Sequence, residues 1–353
     1  MGSGQTAVSA LNRRQSNKLG SRVSEKRKKP ADRRYQMDFS MSAIRAPLDV
    51  PQELRMEYTR NLFTMTGGSG RLMLFAGDQK IEHLNDDFHG PGISPDDNDP
   101  EHLFRIASGA EIGCFATQMG LIARFGEDYP DVNYLIKLNS KTNLVKTGQA
   151  EPFSGLFYSM EQVDRFRKSS ALSIPAVGYT IYAGSEYEAH MLHEAAQIIY
   201  GAHKRGMIAI IWIYPRGEAV KDEHDPHLIA GAAGLGAALG ADFVKVNYPK
   251  KDGVDSKDAF KEAVQAAGRC KVLCAGGSSV DVKLFLERLW EQIFISGASG
   301  NATGRNIHQK RLKEAIQMCN AISAIVVNGA GVEEALEVYT GRKEFKVKEY
   351  NML

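Results

Sequence analysis

The residue of this chain that could do the most specific chemistry is Lys245, which lies inside the apolar, strand-like run from Ala241 to Asn247. Burying an unpaired ammonium group in such surroundings is expensive. Successive residues of a strand face opposite sides, so Lys245 shares its side with Phe243 and is predicted to point inward. Burial lowers the pKa of a lysine, and a partly neutral amine can attack a carbonyl carbon to form a Schiff base. We therefore predict Schiff-base chemistry, with a lysine that reaches solvent from the strand end as the alternative.

Further polar and aromatic residues fall at the carboxyl ends of predicted strands, where a barrel enzyme has its active site. Asp78 follows the first strand, and Lys137 lies on the third. Trp212 and Tyr214 share one side of the fifth strand, and Arg216 comes just after it. Each residue has a structural alternative, such as a turn cap for Asp78 or a barrel-end hydroxyl for Tyr214. Their co-occurrence predicts a substrate pocket with acid and base groups near the reactive lysine.

Two glycine-containing loops follow the last two predicted strands. The seventh strand leads into Gly276, Gly277 and Ser278, and the eighth leads into Gly304 and Arg305. Glycine lets backbone N–H groups approach an anion, and arginine can chelate phosphate oxygens. In barrels, the loops after strands seven and eight frequently form a phosphate site. We therefore predict that these five residues bind a phosphate group, with simple turns as the alternative.

Histidines and cysteines form three groupings that resemble metal sites at first sight. Residues 222–227 read Asp-Glu-His-Asp-Pro-His, His190 and His193 stand about one helical turn apart, and Cys270 and Cys274 lie close in sequence. The first group is better explained as a polar loop with a helix cap, and the cysteines lack the second ligand pair of a structural zinc site. We expect no metal and no cofactor. Scattered thiols suit a reducing compartment, which favours a cytoplasmic location.

These candidate residues require a scaffold that brings the ends of separate strands together. From about residue 50, short apolar runs alternate with helical patterns, which is typical of β/α units around a parallel sheet. Helices are predicted over residues 186–204 and over residues 226–239, the second with Asp225 as N-cap and Pro226 at its first position. The predicted strands are Leu72–Asp78, Ile112–Thr117, Tyr134–Leu138, Ala176–Ile181, Ile208–Tyr214, Asp242–Asn247, Val272–Ala275 and Ala302–Gly304. Eight such units predict an α/β fold of the (β/α)8 TIM barrel type. A doubly wound open sheet is the alternative, but no GxGxxG turn follows the first strand.

Charge is unevenly distributed along the chain. The 353 residues include 44 basic and 42 acidic side chains, whereas residues 1–37 hold ten Lys or Arg and only two acidic residues. With little apolar periodicity, residues 1–38 are predicted to be a disordered basic arm, with a transit peptide or a myristoylated terminus as alternatives. The mildly acidic remainder gives no reason to expect a nucleic-acid partner. The longest apolar run, Met207 to Tyr214, is far shorter than the about 20 residues that cross a bilayer, so no membrane partner is expected.

Four motifs identify a family. They are Trp212–Gly217, Leu239–Lys245, Ala275–Gly277 and Gly304–Ile307. In this order they resemble the motifs of archaeal-type class I fructose-bisphosphate aldolases, the DhnA-type group of DeoC/LacD-like aldolases. The resemblance covers roughly residues 70 to 320. It implies an aldolase barrel over residues 39–353 that reversibly cleaves fructose 1,6-bisphosphate to dihydroxyacetone phosphate and glyceraldehyde 3-phosphate.

The same resemblance implies residue roles. Lys245 would be the Schiff-base lysine, with Lys137 as its rival, while Tyr214 and Asp78 would transfer protons. Trp212 would line the substrate pocket, and the last two loops, with Arg305, would hold the 1-phosphate. The candidates for the 6-phosphate are Lys80, His83 and Arg216. A homo-oligomer is also implied.

This chain departs from the family pattern after the first strand. Asp78-Gln79-Lys80 stands where many relatives read Asp-His-Gly. Asn247-Tyr248-Pro249, after the lysine, also differs from the commoner endings. Three alternatives stay open: a Schiff-base transferase that makes an aminodeoxyheptulosonate, a thiolase acting on phosphorylated autoinducer-2, and a non-catalytic sugar-phosphate sensor.

Overall fold

Eight parallel strands bring their carboxyl ends together in a closed barrel. The structure is a computed structural model that describes residues 40–144, 151–278 and 280–348. The barrel strands are β1 Leu72–Ala76, β2 Cys114–Thr117, β3 Tyr134–Lys137, β4 Ala176–Ala183, β5 Ile208–Pro215, β6 Phe243–Val246, β7 Lys271–Ala275 and β8 Gly300–Thr303. Each strand pairs with the next along the chain, and β8 pairs with β1. The predicted (β/α)8 fold is confirmed. The predicted basic arm over residues 1–38 lies outside the described residues.

Helices connect the strands and surround the barrel. In the described part of the chain they are α1 Arg55–Met65, α2 Gln79–Glu82, α3 Glu101–Gly109, α4 Met119–Phe125, α5 Met160–Ser170, α6 Glu188–His203, α7 Pro226–Leu239, α8 Ser256–Ala267, α9 Val282–Phe294, α10 Arg305–His308, α11 Leu312–Val326 and α12 Val332–Tyr339. Helix α7 has its predicted bounds and its predicted cap, because the Asp225 carboxylate accepts hydrogen bonds from the backbone N–H groups of His227 and Leu228. The helix predicted over residues 186–204 is α6.

Each of the eight strands differs from its predicted bounds by one or two residues, and β1 and β8 show the physical reasons. Strand β1 ends at Ala76, two residues early, because Asp78 already has helical backbone angles and leads into α2. Strand β8 begins at Gly300, two residues before the predicted Ala302. Gly300 has a φ of 152°, and a Cβ there would lie 2.1 Å from the Leu72 carbonyl oxygen, so only glycine lets the two strands pair at this point.

Alternate strand residues fill the barrel interior, as the period of two predicts. This inner set includes Leu72, Leu74, Ala116, Leu135, Ile208, Ile210, Phe243 and Leu273, and Trp212 lies at its carboxyl end. Val50, Tyr58 and Leu62, which precede β1, pack against the same set. Outward-facing residues such as Phe75, Tyr179 and Val244 pack in a second cluster with the helices. The polar inward-facing residues are therefore concentrated at the carboxyl end of the barrel.

The four cysteines are free thiols, with Cys114, Cys274 and Cys319 buried and Cys270 half-buried. Among the described residues, no helix combines the length and the apolar character needed to cross a membrane.

Candidate active site

Lys245 lies on β6, opposite Trp212 of β5, and its side chain points into the barrel. It is 6% exposed, and its Nζ atom lies 5.3 Å from the centroid of the Trp212 ring. No residue in the described ranges forms a hydrogen bond or ion pair with this ammonium group. Burial lowers the pKa of Lys245, the charges of Asp78 and Glu82 oppose that shift, and the Arg305 guanidinium adds to it. Lys245 therefore points inward, as the period of two along the strand predicts.

Lys137 lies on β3 and reaches the same aromatic ring, with its Nζ atom 5.3 Å from the Trp212 centroid. In contrast to Lys245, its ammonium group is held, donating to the backbone oxygen of Asn139 at 2.8 Å and to the Asn139 Oδ1 at 3.1 Å. Burial lowers the pKa of Lys137 to about 8, with Asp78 opposing this shift and the charge of Lys245 adding to it. Two lysines therefore share one pocket, and only one of them is tied down by hydrogen bonds.

Tyr214 and Asp78 have free polar groups near these lysines. The Tyr214 hydroxyl has no hydrogen-bond partner among the described residues, and burial raises its pKa, with Asp78 adding to the effect. Asp78 precedes α2, but its carboxylate does not cap that helix. Its backbone oxygen instead accepts a hydrogen bond from the Gln118 side chain at 2.7 Å. A protonated phenol and an unengaged carboxylate are the two groups that acid–base chemistry needs.

The indole of Trp212 is 2% exposed, and its N–H group is buried without a partner in the described part of the chain. Unsatisfied buried donors are uncommon, and a ligand oxygen would satisfy this one. Gly178 of β4 makes room for the ring, because a Cβ at that position would lie 2.4 Å from its Cζ3 atom. The Trp212 ring is therefore held in position by packing against the backbone at Gly178 and not by a hydrogen bond of its indole N–H group.

Sequence reasoning missed a polar group at the barrel mouth, Glu82. Its Oε1 atom accepts a hydrogen bond from the Tyr182 hydroxyl at 2.9 Å and lies 3.9 Å from both the Arg216 Nη1 and the Lys141 Nζ. One local signal was present, since Glu82 follows Asp78 by four residues and a short helix places such residues on the same side. The partner Tyr182 lies 100 residues away, so nothing in the sequence paired the two.

In the loop after β7, some backbone N–H groups could bind an anion and one is already hydrogen-bonded. The Gly276 N–H donates to the Ala302 carbonyl at 2.9 Å, so it continues the sheet and is not free for an anion, contrary to its predicted use. Asn306 holds the loop by donating to the carbonyl oxygens of Gly276 and Ser278 at 3.1 and 3.0 Å. Gly277 has a φ of 69°, a conformation that glycine adopts without strain. The N–H groups of Gly277 and Ser278 have no partner among the described residues.

Arg305 is the first residue of α10 and is half-buried, with its Nε atom 3.8 Å from the Asp87 Oδ2. It lies close enough to Lys245 for its charge to lower the pKa of that lysine. Gly304, the residue before it, has no room for a side chain, because a Cβ would lie 2.6 Å from the backbone oxygen of Ala76 and 2.2 Å from the Gln79 Oε1. The two predicted phosphate loops are thus adjacent at the mouth of the barrel.

Of the three residues predicted for a second phosphate site, two line the same cavity and one does not. His83 and Arg216 line a cavity of about 430 Å³ together with Lys221, which was not predicted. Both His83 and Arg216 are already paired with carboxylates, at 2.6 Å each. Lys80 does not line this cavity, and its Nζ atom lies 4.1 Å above the Phe88 ring.

The largest cavities described do not coincide with the site around Lys245. A cavity of about 1240 Å³ lies against the outer helices and is lined by His190 and His193, and another of about 870 Å³ is lined by residues 43–48 and Tyr58. Neither contains Lys245. No cluster of three or more metal-ligating side chains occurs within residues 40–144, 151–278 and 280–348.

Known proteins resemble this chain in sequence and structure. The DeoC/LacD family aldolase model matches residues 72–310. A fructose-bisphosphate aldolase/6-deoxy-5-ketofructose 1-phosphate synthase of Methanocaldococcus jannaschii is 59% identical over 301 residues, covering 85% of this chain and 96% of that protein. A fructose-bisphosphate aldolase structure from Slackia heliotrinireducens superposes with a TM-score of 0.87 at 50% identity, over 90% of this chain and all of the other. A Schiff-base-forming fructose-1,6-bisphosphate aldolase gives a TM-score of 0.65 at 32% identity, over 76% and 99% of the two chains.

Proposed function

The chain belongs to the DeoC/LacD family of aldolases, and from that premise we propose that it is a class I fructose-bisphosphate aldolase. It cleaves fructose 1,6-bisphosphate reversibly to dihydroxyacetone phosphate and glyceraldehyde 3-phosphate. The observation that carries this proposal is Lys245, a buried amine with a lowered pKa and no hydrogen-bond partner among the described residues. A neutral, unengaged amine is what attack on a ketone requires.

The site residues support the following course. The Lys245 nitrogen attacks the C2 carbonyl, and loss of water from the carbinolamine leaves an iminium. Tyr214 is suited to supply the proton for that dehydration. Asp78 takes the proton of the C4 hydroxyl, so that the C3–C4 bond breaks, glyceraldehyde 3-phosphate leaves and the electron pair moves into the iminium. Asp78 then returns its proton to C3 of the enamine, and addition of water to the resulting iminium releases dihydroxyacetone phosphate and free Lys245.

Binding groups flank these reacting residues. Arg305 and the free N–H groups of Gly277 and Ser278 suit the 1-phosphate, while Gly276 and Gly304 shape the two loops. Arg216 suits the 6-phosphate, which would compete with the carboxylate that Arg216 now contacts.

Trp212 and Lys137 also line the proposed substrate pocket. Trp212 offers its unpaired indole N–H to a substrate oxygen. Lys137, held by Asn139, contributes a fixed cation rather than a nucleophile.

Borohydride trapping tests the proposal. Reduction in the presence of fructose 1,6-bisphosphate, followed by peptide mass spectrometry, should give an adduct on Lys245 that is lost in Lys245→Ala. The matched control is Lys137→Met, which removes the other buried amine and should still form the adduct. An adduct on Lys137 would keep the mechanism but overturn the site assignment. No adduct in the unsubstituted, folded protein would overturn the proposed function.

A second activity is the one named for the Methanocaldococcus jannaschii relative, 6-deoxy-5-ketofructose 1-phosphate synthase, favoured by 59% identity over 85% of this chain. Formation of that product by the unsubstituted protein, and its loss in Lys245→Ala, is the test.

We further infer a homo-oligomer of cytoplasmic location, without nucleic-acid or membrane partners. The aromatic rings of Phe153 and Tyr187 are exposed and lie 5.4 Å apart, and Phe157 is 42% exposed. Surfaces of this kind mark interaction sites. Light scattering of the purified protein would give a mass of several chains, whereas the mass of one chain would contradict the inference.

A further inference from the structure

Helix α2, which follows Asp78, has four residues. A single helical turn is unstable on its own, because its nucleation cost is not repaid by further hydrogen bonds. Besides the hydrogen bond from Gln118 to its backbone oxygen, the position of Asp78 therefore depends on contacts between α2 and other parts of the barrel. At the far end of α2, Glu82 is bonded to Tyr182. At the near end the contact is made by Gln79, the residue directly after Asp78.

Gln79 is linked to a buried histidine and through it to a buried carboxylate. Its Oε1 atom lies 3.3 Å from the Nε2 of His308, which is the last residue of α10. The Nδ1 of His308 lies 2.7 Å from the Oδ2 of Asp97. Both His308 and Asp97 are at most 1% exposed. Each ring nitrogen of His308 therefore has a polar partner, one on either side.

Neighbouring residues pack closely around His308 and Gln79 and restrict their movement. The Phe88 ring stacks on His308 with centroids 4.7 Å apart and an interplanar angle of 11°. The backbone oxygen of His308 lies 3.1 Å from the His102 Nε2. Gly304 has no side chain where the Gln79 amide passes, and a Cβ there would lie 2.2 Å from the amide oxygen. Gln79 thus crosses directly over the turn between β8 and α10.

We propose that Asp97, His308 and Gln79 form a positioning relay that holds α2 against α10 and so places the Asp78 carboxylate at Lys245. The inference rests on the proposed function and adds three residues that touch no reacting atom. The relay also joins the two ends of the site, because α10 begins with Arg305 at the predicted phosphate loop. The relay includes Gln79, the residue directly after Asp78, where this chain departs from the family pattern.

The test separates Schiff-base formation from carbon–carbon cleavage. Gln79→Met keeps the length of the side chain and removes its polar atoms, whereas Gln79→Glu keeps an oxygen opposite His308. Borohydride trapping of dihydroxyacetone phosphate on Lys245 reports amine attack. Turnover of fructose 1,6-bisphosphate also requires Asp78.

Gln79→Met should lower kcat about 10- to 100-fold, as a displacement of about 1 Å does, while the trapping rate stays within about twofold. Gln79→Glu, which keeps an oxygen opposite His308, should have a kcat within a few-fold of the kcat of the unsubstituted protein. Asp97→Asn, which weakens the far end of the relay and also removes a charge that acts on Lys80 of α2, should lower kcat in the same direction. The matched control is Gln292→Met, the same substitution at a buried glutamine of α9, which should leave kcat and trapping unchanged.

Two results overturn the relay alone. One is unchanged turnover in both Gln79→Met and Asp97→Asn while the unsubstituted protein forms the adduct. The other is an equal loss of trapping and turnover in Gln79→Met that Gln79→Glu also shows. That result would mean that the substitutions disrupt the whole site and not only the position of Asp78. Absence of an adduct in the unsubstituted protein would instead overturn the proposed function, and this inference with it.

Discussion

His203 is fully buried at the end of α6 and lies between two carboxylates. Its Nδ1 atom is 2.8 Å from the Asp49 Oδ2, and its Nε2 is 3.2 Å from the Asp242 Oδ2. Burial lowers the pKa of His203, but the hydrogen bonds and charges of Asp242 and Asp49 outweigh burial and raise the pKa to about 9. These contacts join the segment before β1, helix α6 and the start of β6. We predict that replacing His203 changes the pH dependence of stability.

The sign and size follow from linkage. The pKa of histidine is about 6.5 in the unfolded chain, so a folded pKa of about 9 means that the folded state binds the proton more tightly. The resulting stabilisation is fully present below pH 6.5 and is lost as the pH rises through 9. Between pH 6.0 and pH 9.5, this one group accounts for about 3 kcal/mol of the free energy of unfolding.

Urea unfolding of the unsubstituted protein and of His203→Gln at both pH values is the assay. Subtracting one protein from the other cancels the titration of groups common to both. His203→Gln should be destabilised by about 3 kcal/mol more at pH 6.0 than at pH 9.5. A difference that does not change with pH would refute the reasoning, as would hydrogen exchange at the His203 ring that reports a pKa near 6.5.

Three further predictions concern the site and its scaffold. Tyr214→Phe should lower kcat about 10²- to 10⁴-fold while the folded state is retained, measured by turnover and circular dichroism, because it removes the hydroxyl that transfers the proton. Gly178→Ala should weaken substrate binding by displacing the Trp212 ring, seen as a raised KM, whereas Gly120→Ala, which has open space around the added methyl group, should not. Asp225→Ala should cost about 1 kcal/mol of unfolding free energy through loss of the α7 cap, without changing kcat, and a neutral result in thermal melts would contradict the capping role.

The fold and the inward direction of the central residues could be predicted because they depend on local pattern. Apolar runs separated by helical segments gave eight strands, and the period of two placed Lys245, Trp212 and Tyr214 on the inner side. Asp225 and Pro226 marked the start of α7 by side-chain chemistry that acts within a few residues. Strand ends were less well predicted, as β1 and β8 illustrate, because the end of a strand depends on its neighbour as well as on its own residues.

The partners of these residues could not be predicted, because they come from distant parts of the chain. Asn139 distinguishes Lys137 from Lys245 by holding one ammonium group, yet both lysines look alike in sequence. Gly276 looked free for an anion, but its N–H is used by the neighbouring strand β8.

The sequence by itself determined the barrel, the side of each strand that faces inward, and the residue types that Schiff-base chemistry needs. The tertiary structure alone decided which polar groups are engaged and which are free. Glu82 meets Tyr182 across 100 residues, and Gln79 meets His308 across 229 residues. The physical reason is closure of the barrel, which gathers the loops after all eight strands at one mouth. The segment after β1 therefore meets both α10 after β8 and Tyr182 of β4, and no local periodicity encodes those contacts.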